Sequence, residues 1–209
     1  MIRYKVWILT GCLMVSTVLV LAGCVGRSSP TVNYFNLLTM EQLGEYKVIA
    51  SHPKINLGVG PVSIPDSLKR SQIATSQRGN QYEFDEYNRW AGMLDKNFTT
   101  VVGENLSVLL GVKNLGSYPW RPHFKPTYQI IIDIQRLDGA LDGEAMLIAR
   151  WSVLDAEGKE LFAGGRTSFQ QAVERLDFAA LVKAESLLVV ELSKLVAKEI
   201  DLLISKQAS

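Results

Sequence analysis

The chain has 209 residues, 47% of them hydrophobic, with 22 basic residues against 21 acidic ones, two cysteines and two histidines. Such an even charge balance gives no electrostatic reason to expect nucleic acid as a partner, and no strong attraction to anionic lipid. The length fits one domain behind a leader, and so few thiols and imidazoles leave little from which to build a metal centre.

Arg3 and Lys5 open the chain, an uncharged and mostly apolar stretch runs from Val6 to Leu21, and small residues follow at Ala22 and Gly23. That is the order of an export signal. The apolar stretch is a little shorter than the roughly 20 residues a helix needs to span a bilayer. Leu21-Ala22-Gly23-Cys24 has the form of a lipobox. Small residues let the chain lie extended in a narrow peptidase cleft, and a free thiol attacks a diacylglycerol donor. We therefore expect residues 1–23 to be a lipoprotein signal peptide and Cys24 to be the lipid-attachment residue.

Processing changes the inventory. Cys12 leaves with the leader and Cys24 is consumed by lipid, so no disulfide can form within one chain and a packed core must supply stability. Loss of Arg3 and Lys5 leaves 20 basic residues against 21 acidic ones. Each buried methylene of an acyl chain contributes about 0.8 kcal/mol, so two or three chains hold firmly. Val25, rather than aspartate, follows the cysteine. In a Gram-negative host that favours sorting to the outer membrane, facing the periplasm. Residues 24–32 form a lipidated tether, whose polar part, Gly26 to Thr31, is too brief to reach across a periplasm.

The expected domain spans residues 33–205. Tyr34 to Leu37 reads as a short first strand. Ile55 to Gly60 alternates apolar residues with small or polar ones, and Pro61 and Pro65 should close that strand because proline donates no backbone hydrogen bond. Ser71 to Ser76 and Gln81 to Phe84 flank Arg78-Gly79-Asn80 as a hairpin. A helix is expected from Asp85 to Leu110, ended by Gly111 or Gly116. Its apolar stripe holds Trp90, Met93, Leu94, Phe98, Val101, Val102, Leu106 and Leu109, with Asp95, Lys96, Thr99, Gly103 and Asn105 opposite. Alternation then predicts strands through Tyr128 to Gln135, Leu147 to Val153 and Leu161 to Gln170. The last two are joined by a turn at Asp155 to Lys159. A second amphipathic helix covers Asp177 to Leu203. The pattern implies an α/β two-layer sandwich: a mixed, mostly antiparallel sheet with two long helices on one face. The other face, with Ile131, Asp133, Arg150 and Ser152, is half polar.

Catalytic constellations are not evident. His52 and His123 stand beside prolines, no serine has a Gly-x-Ser-x-Gly context, and Gly58-Val59-Gly60 runs into Pro61 rather than a helix. An odd offset places Asp133 and Asp138 on opposite faces of a regular strand. Trp90 and Trp151 fall on core faces. Trp120, within Tyr118-Pro119-Trp120-Arg121-Pro122, is the better candidate for an exposed contact, because a loop cannot easily bury it. No enzyme activity, metal or cofactor is expected.

The ordered set of lipobox, Phe35-Asn36-Leu37, Ile55 to Arg70, Arg89-Trp90, Tyr118-Pro119, Ala149-Arg150-Trp151 and a long apolar helix resembles the ABC-type transport auxiliary lipoprotein family, the PqiC-like, MCE-associated lipoproteins. Where that family tends to have Pro-x-Tyr-Leu-x-Arg and Arg-Trp-Ala-Glu-Pro-Leu, this chain has Pro65 to Arg70 without the tyrosine, and Arg89 to Leu94 without the proline. The resemblance implies a fold similar to the amino-terminal domain of TolB. It also implies a non-catalytic role beside an MCE-domain protein and an associated permease or ABC transporter, moving lipids or other hydrophobic molecules between membranes. The chain would dock the MCE assembly at the outer membrane; a homo-oligomeric ring is compatible with this. Partner-binding candidates are Pro65, Leu68 and Arg70, in a segment expected to be exposed, with Trp120. A stand-alone lipid-binding lipoprotein is the alternative, and it expects a cavity lined by Phe98, Trp151 and Phe178 where docking expects a filled core. An envelope hydrolase lacks a nucleophile–base pair to stand on.

Overall fold

The computed structural model describes residues 30–45, 47–76 and 81–207; the leader, Cys24, most of the tether and the turn Arg78-Gly79-Asn80 lie outside the described residues. Val32–Ser209 forms one compact unit. Its strands are β1 (Asn33–Phe35), β2 (Asn56–Ser63), β3 (Gln72–Ser76), β4 (Tyr82–Trp90), β5 (Asn114–Ser117), β6 (Tyr128–Gly139), β7 (Glu144–Leu154) and β8 (Leu161–Ala172). The helices are α1 (Leu94–Leu110) and α2 (Phe178–Gln207). Among the described residues no helix is long and apolar enough to cross a membrane.

All eight strands join one mixed open sheet. β6, β7 and β8 form an antiparallel meander, as the alternating pattern predicts. On its other edge β6 is shared. Its first half pairs in parallel with β2, which pairs onward with β5, and its last residue, Gly139, meets Thr75 of β3, which leads to β4 and β1. α1 and α2 pack on one face, α1 over β2 and β5 and α2 over β6, β7 and β8. The core between the layers holds Leu57, Val59, Phe98, Leu106, Ile130, Ile132, Leu147, Trp151, Leu188 and Leu192.

Irregular pairing accounts for two departures from the sequence reading. β2 does not stop at Pro61. It carries one extra residue between Val59 and Val62 and continues to Ser63, since a bulge frees proline from donating to the ladder. A second bulge, between Ile134 and Arg136, changes the parity of β6. Asp133 pairs with Arg150 and Asp138 with Met146, so both carboxylates lie on the same face, away from the helices, not on opposite faces.

The first helix starts nine residues later than Asp85. Residues Tyr82–Trp90 are strand, pinned between β3 and β1: Trp90 N–H donates to Ser71 carbonyl (2.7 Å) and Ala91 N–H to Phe35 carbonyl (2.8 Å). Tyr82, Phe84, Tyr87 and Trp90 suit a pleated surface, and partners distant in sequence decide between two readings that spacing alone leaves close. Gly111 ends α1 in the left-handed conformation (φ 59°), donating its N–H to Ser107 carbonyl; a side chain there would be strained. Asp177 caps α2, its carboxylate accepting from Ala180 N–H at 2.7 Å.

Thr99, Gly103 and Asn105, expected on a solvent face of α1, are buried. The segment after β1 runs against both helices, and their polar side chains satisfy its backbone. Leu37 N–H donates to Asn97 Oδ1 (2.7 Å), Leu38 N–H to Ser186 Oγ (2.9 Å) and Met40 N–H to Asn105 Oδ1 (2.8 Å). Asn105 Nδ2 in turn donates to Ser193 Oγ (3.3 Å). α1 is therefore covered by the sheet on one side and by chain on the other.

Candidate functional site

The segment that leaves β2 is the first candidate surface. Pro65, half-buried, leads into a single 3-10 turn, Asp66–Leu68, and Lys69 Nζ donates to Asp66 Oδ1 (2.7 Å) across it. Leu68 is 5% exposed and belongs to the core, which corrects the expectation that it faces a partner: a turn this tight sends its one apolar residue inward. Arg70 is exposed, its guanidinium 4.6 Å from the centroid of the Phe84 ring. Beside the segment opens a cleft of about 410 Å³ lined by Val62, Ile64, Lys69, Met93 and Leu94. Met93, at the uncapped start of α1, is 64% exposed.

Trp120 stands elsewhere. Its ring covers Gly58 of β2 on the face away from the helices, where a Cβ on that glycine would lie 2.7 Å from Cη2. Tyr118 packs edge-on against it and Phe124 tilts against it, at centroid distances of 5.4 and 5.8 Å. Trp120 is thus half-buried and not freely exposed, because Gly58 leaves room for the indole. From Gly58 to Ser63 the strand rises about 16 Å, so Trp120 and the Pro65–Arg70 segment form no common site. Glycines inside predicted strands were the sign of this close approach.

Two buried polar features escaped the sequence reading. Asp138 accepts from Arg136 Nε (3.0 Å to each oxygen) and Nη2 (2.8 Å), and from Tyr82 Oη (3.2 Å). The hydrogen bond to Asp138 holds the Arg136 guanidinium above its ordinary value, while burial, then the Asp138 charge, raise Tyr82. On α2, Glu185 is fully buried and its Oε2 has no hydrogen-bond partner among the described residues. Burial first, and the negative charge of Asp138 second, push its carboxyl up to about 8, so it is a neutral acid at pH 7. His52 Nε2 lies 2.8 Å from Asp201 Oδ1, joining a loop to α2. Among the described residues no group of three or more His, Cys, Asp or Glu could hold a metal ion. Phe98 and Trp151 are in the core and Phe178 packs against it.

Comparison with known proteins places this arrangement. The family described as ABC-type transport auxiliary lipoprotein component matches residues 37–197. A crystal structure of an uncharacterized protein is similar with a TM-score of 0.65 and 19% identity, over 82% of this chain and 99% of that one. A crystal structure from Xanthomonas campestris, of family DUF330, is similar with a TM-score of 0.63 and 11% identity, over 84% and 98%. These likenesses carry the fold. No curated protein matches the sequence.

Proposed function

Since the chain belongs to the ABC-type transport auxiliary lipoprotein component family, we propose that it is a non-catalytic outer-membrane lipoprotein, acylated on Cys24, that docks a periplasmic MCE-domain assembly of an intermembrane lipid transport system. The observation that carries this reading is the family match through residues 37–197, directly behind the Leu21-Ala22-Gly23-Cys24 sequence. The structure supports it at one surface. The Pro65–Arg70 segment offers Lys69 in the wall of the cleft that exposes Met93, and an exposed Arg70 over the Phe84 ring, a combination suited to a protein partner.

The stand-alone carrier is the weaker reading, since Phe98, Trp151 and Phe178 pack with the core where it needs a cavity. The test is capture of the MCE-domain protein by wild type and by Cys24→Ala. The variant should leave the membrane and keep its partner. A variant that stays membrane-bound means that acylation is not the anchor, and one that is soluble without the partner removes the docking role.

A further inference from the structure

β1 begins nine residues after Cys24. Fully extended, that stretch spans about 30 Å, and as a flexible coil about 17 Å. A domain of this length has a radius of gyration of about 16 Å, so at coil reach the root of the tether cannot sit on the side turned away from the bilayer. Two exposed tyrosines flank that root. Asn33, the first residue of β1, donates from Nδ2 to Asn88 Oδ1 (3.0 Å) on β4. Tyr34 follows Asn33 and is 65% exposed, and Tyr87 precedes Asn88 and is 45% exposed. In the parallel ladder Tyr34 stands opposite Arg89, while Phe35 stands opposite the buried Trp90. Tyr34 therefore points away from the core. β1 is an edge strand, so nothing in the sheet lies beyond it.

Tyrosine suits the headgroup layer of a bilayer, with an apolar ring to bury and a hydroxyl to leave wet. We propose that the edge formed by β1 and β4, through Tyr34 and Tyr87, is the surface that the domain rests on the phospholipid headgroups beside its own anchor. The proposal depends on acylation of Cys24. It orients the domain: β8, at the opposite edge, lies five strand spacings or about 24 Å away and stays clear of the bilayer.

With Cys12 removed and Cys24 acylated, a new cysteine is the sole free thiol. Full-length Tyr34→Cys, Tyr87→Cys and, as a distant exposed control, Leu161→Cys would be purified acylated and labelled with a fluorophore. Each would be placed on vesicles of phosphatidylethanolamine and phosphatidylglycerol carrying a spin label at the headgroup. Quenching at positions 34 and 87 several-fold above that at 161 is the expected result. Protein that floats with the vesicles but is quenched no more at 34 and 87 than at 161 overturns the seat and leaves the anchor standing. Protein that does not float overturns both.

Discussion

The indole of Trp120 occupies the space that a side chain on Gly58 would need. A Cβ at Gly58 would come within 2.7 Å of Trp120 Cη2 and 2.9 Å of Pro126 Cβ. The contact fixes the loop after β5 on a face of the sheet that the helices leave uncovered. Part of that half-polar face is thereby closed by the chain's own aromatic residues.

Gly58→Ala should destabilise the fold by about 1–3 kcal/mol, the usual cost of overpacking. In a Trp120→Ala background the same change should cost less, with Pro126 accounting for the remainder. Urea unfolding of both single variants and the double variant measures the coupling. Strictly additive effects would show that the two residues do not share the space.

Glu185 should make stability fall as pH rises. Folded, its carboxyl titrates near 8; unfolded, near 4.5. Between those values the folded chain holds a proton that the unfolded chain has released, so each pH unit removes up to about 1.4 kcal/mol. Below about 4.5 this residue adds no slope. Glu185→Gln should therefore raise the melting temperature at the alkaline end of the window and change it little at the acid end. Parallel stability–pH curves for wild type and variant would contradict the burial of a neutral acid.

Arg136→Leu leaves the Asp138 carboxylate, 1% exposed, with Tyr82 as its one side-chain hydrogen-bond donor among the described residues. The expected loss is about 3 kcal/mol, since a buried charge without its partner is costlier than no charge. Adding Asp138→Asn should recover part of the loss in thermal unfolding. No recovery would mean that Arg136 acts through packing alone.

Leu68 and Arg70, two residues apart, should separate stability from binding. Leu68→Ala is expected to cost about 2–4 kcal/mol, and Arg70→Ala no more than about 1 kcal/mol for its stacking on Phe84. Arg70→Ala should nevertheless weaken capture of the proposed MCE-domain partner. Unchanged capture by that variant would move the docking surface away from this segment.

Local patterns carry much of this fold. The β6–β8 meander follows from alternation, α2 from its apolar stripe, and the end of α1 from Gly111. What escaped was decided by partners distant in sequence. Trp90 and Met93 fit a helical stripe by spacing, yet Trp90 bonds Ser71 in the sheet and Met93 is left exposed. Asn105 looks like a solvent residue until the backbone of Met40 is laid against it. The bulge before Arg136 has no local marker, and it alone brings Asp133 and Asp138 to one face.

The candidate surface was legible as a region and not residue by residue. Pro65 to Arg70 stood out as the stretch after a strand, but which of its side chains turn inward depends on the 3-10 turn that buries Leu68. Trp120 was singled out as a loop aromatic; the glycine that receives its ring lies in another strand.

The central claim is that this tightly packed domain is held to a membrane by lipid on one thiol, and the intact mass of the mature protein extracted from membranes tests it most directly. The account predicts a chain beginning at Cys24 and carrying acyl chains. A chain that still begins at Met1, or a mature terminus with an unmodified cysteine, would contradict it.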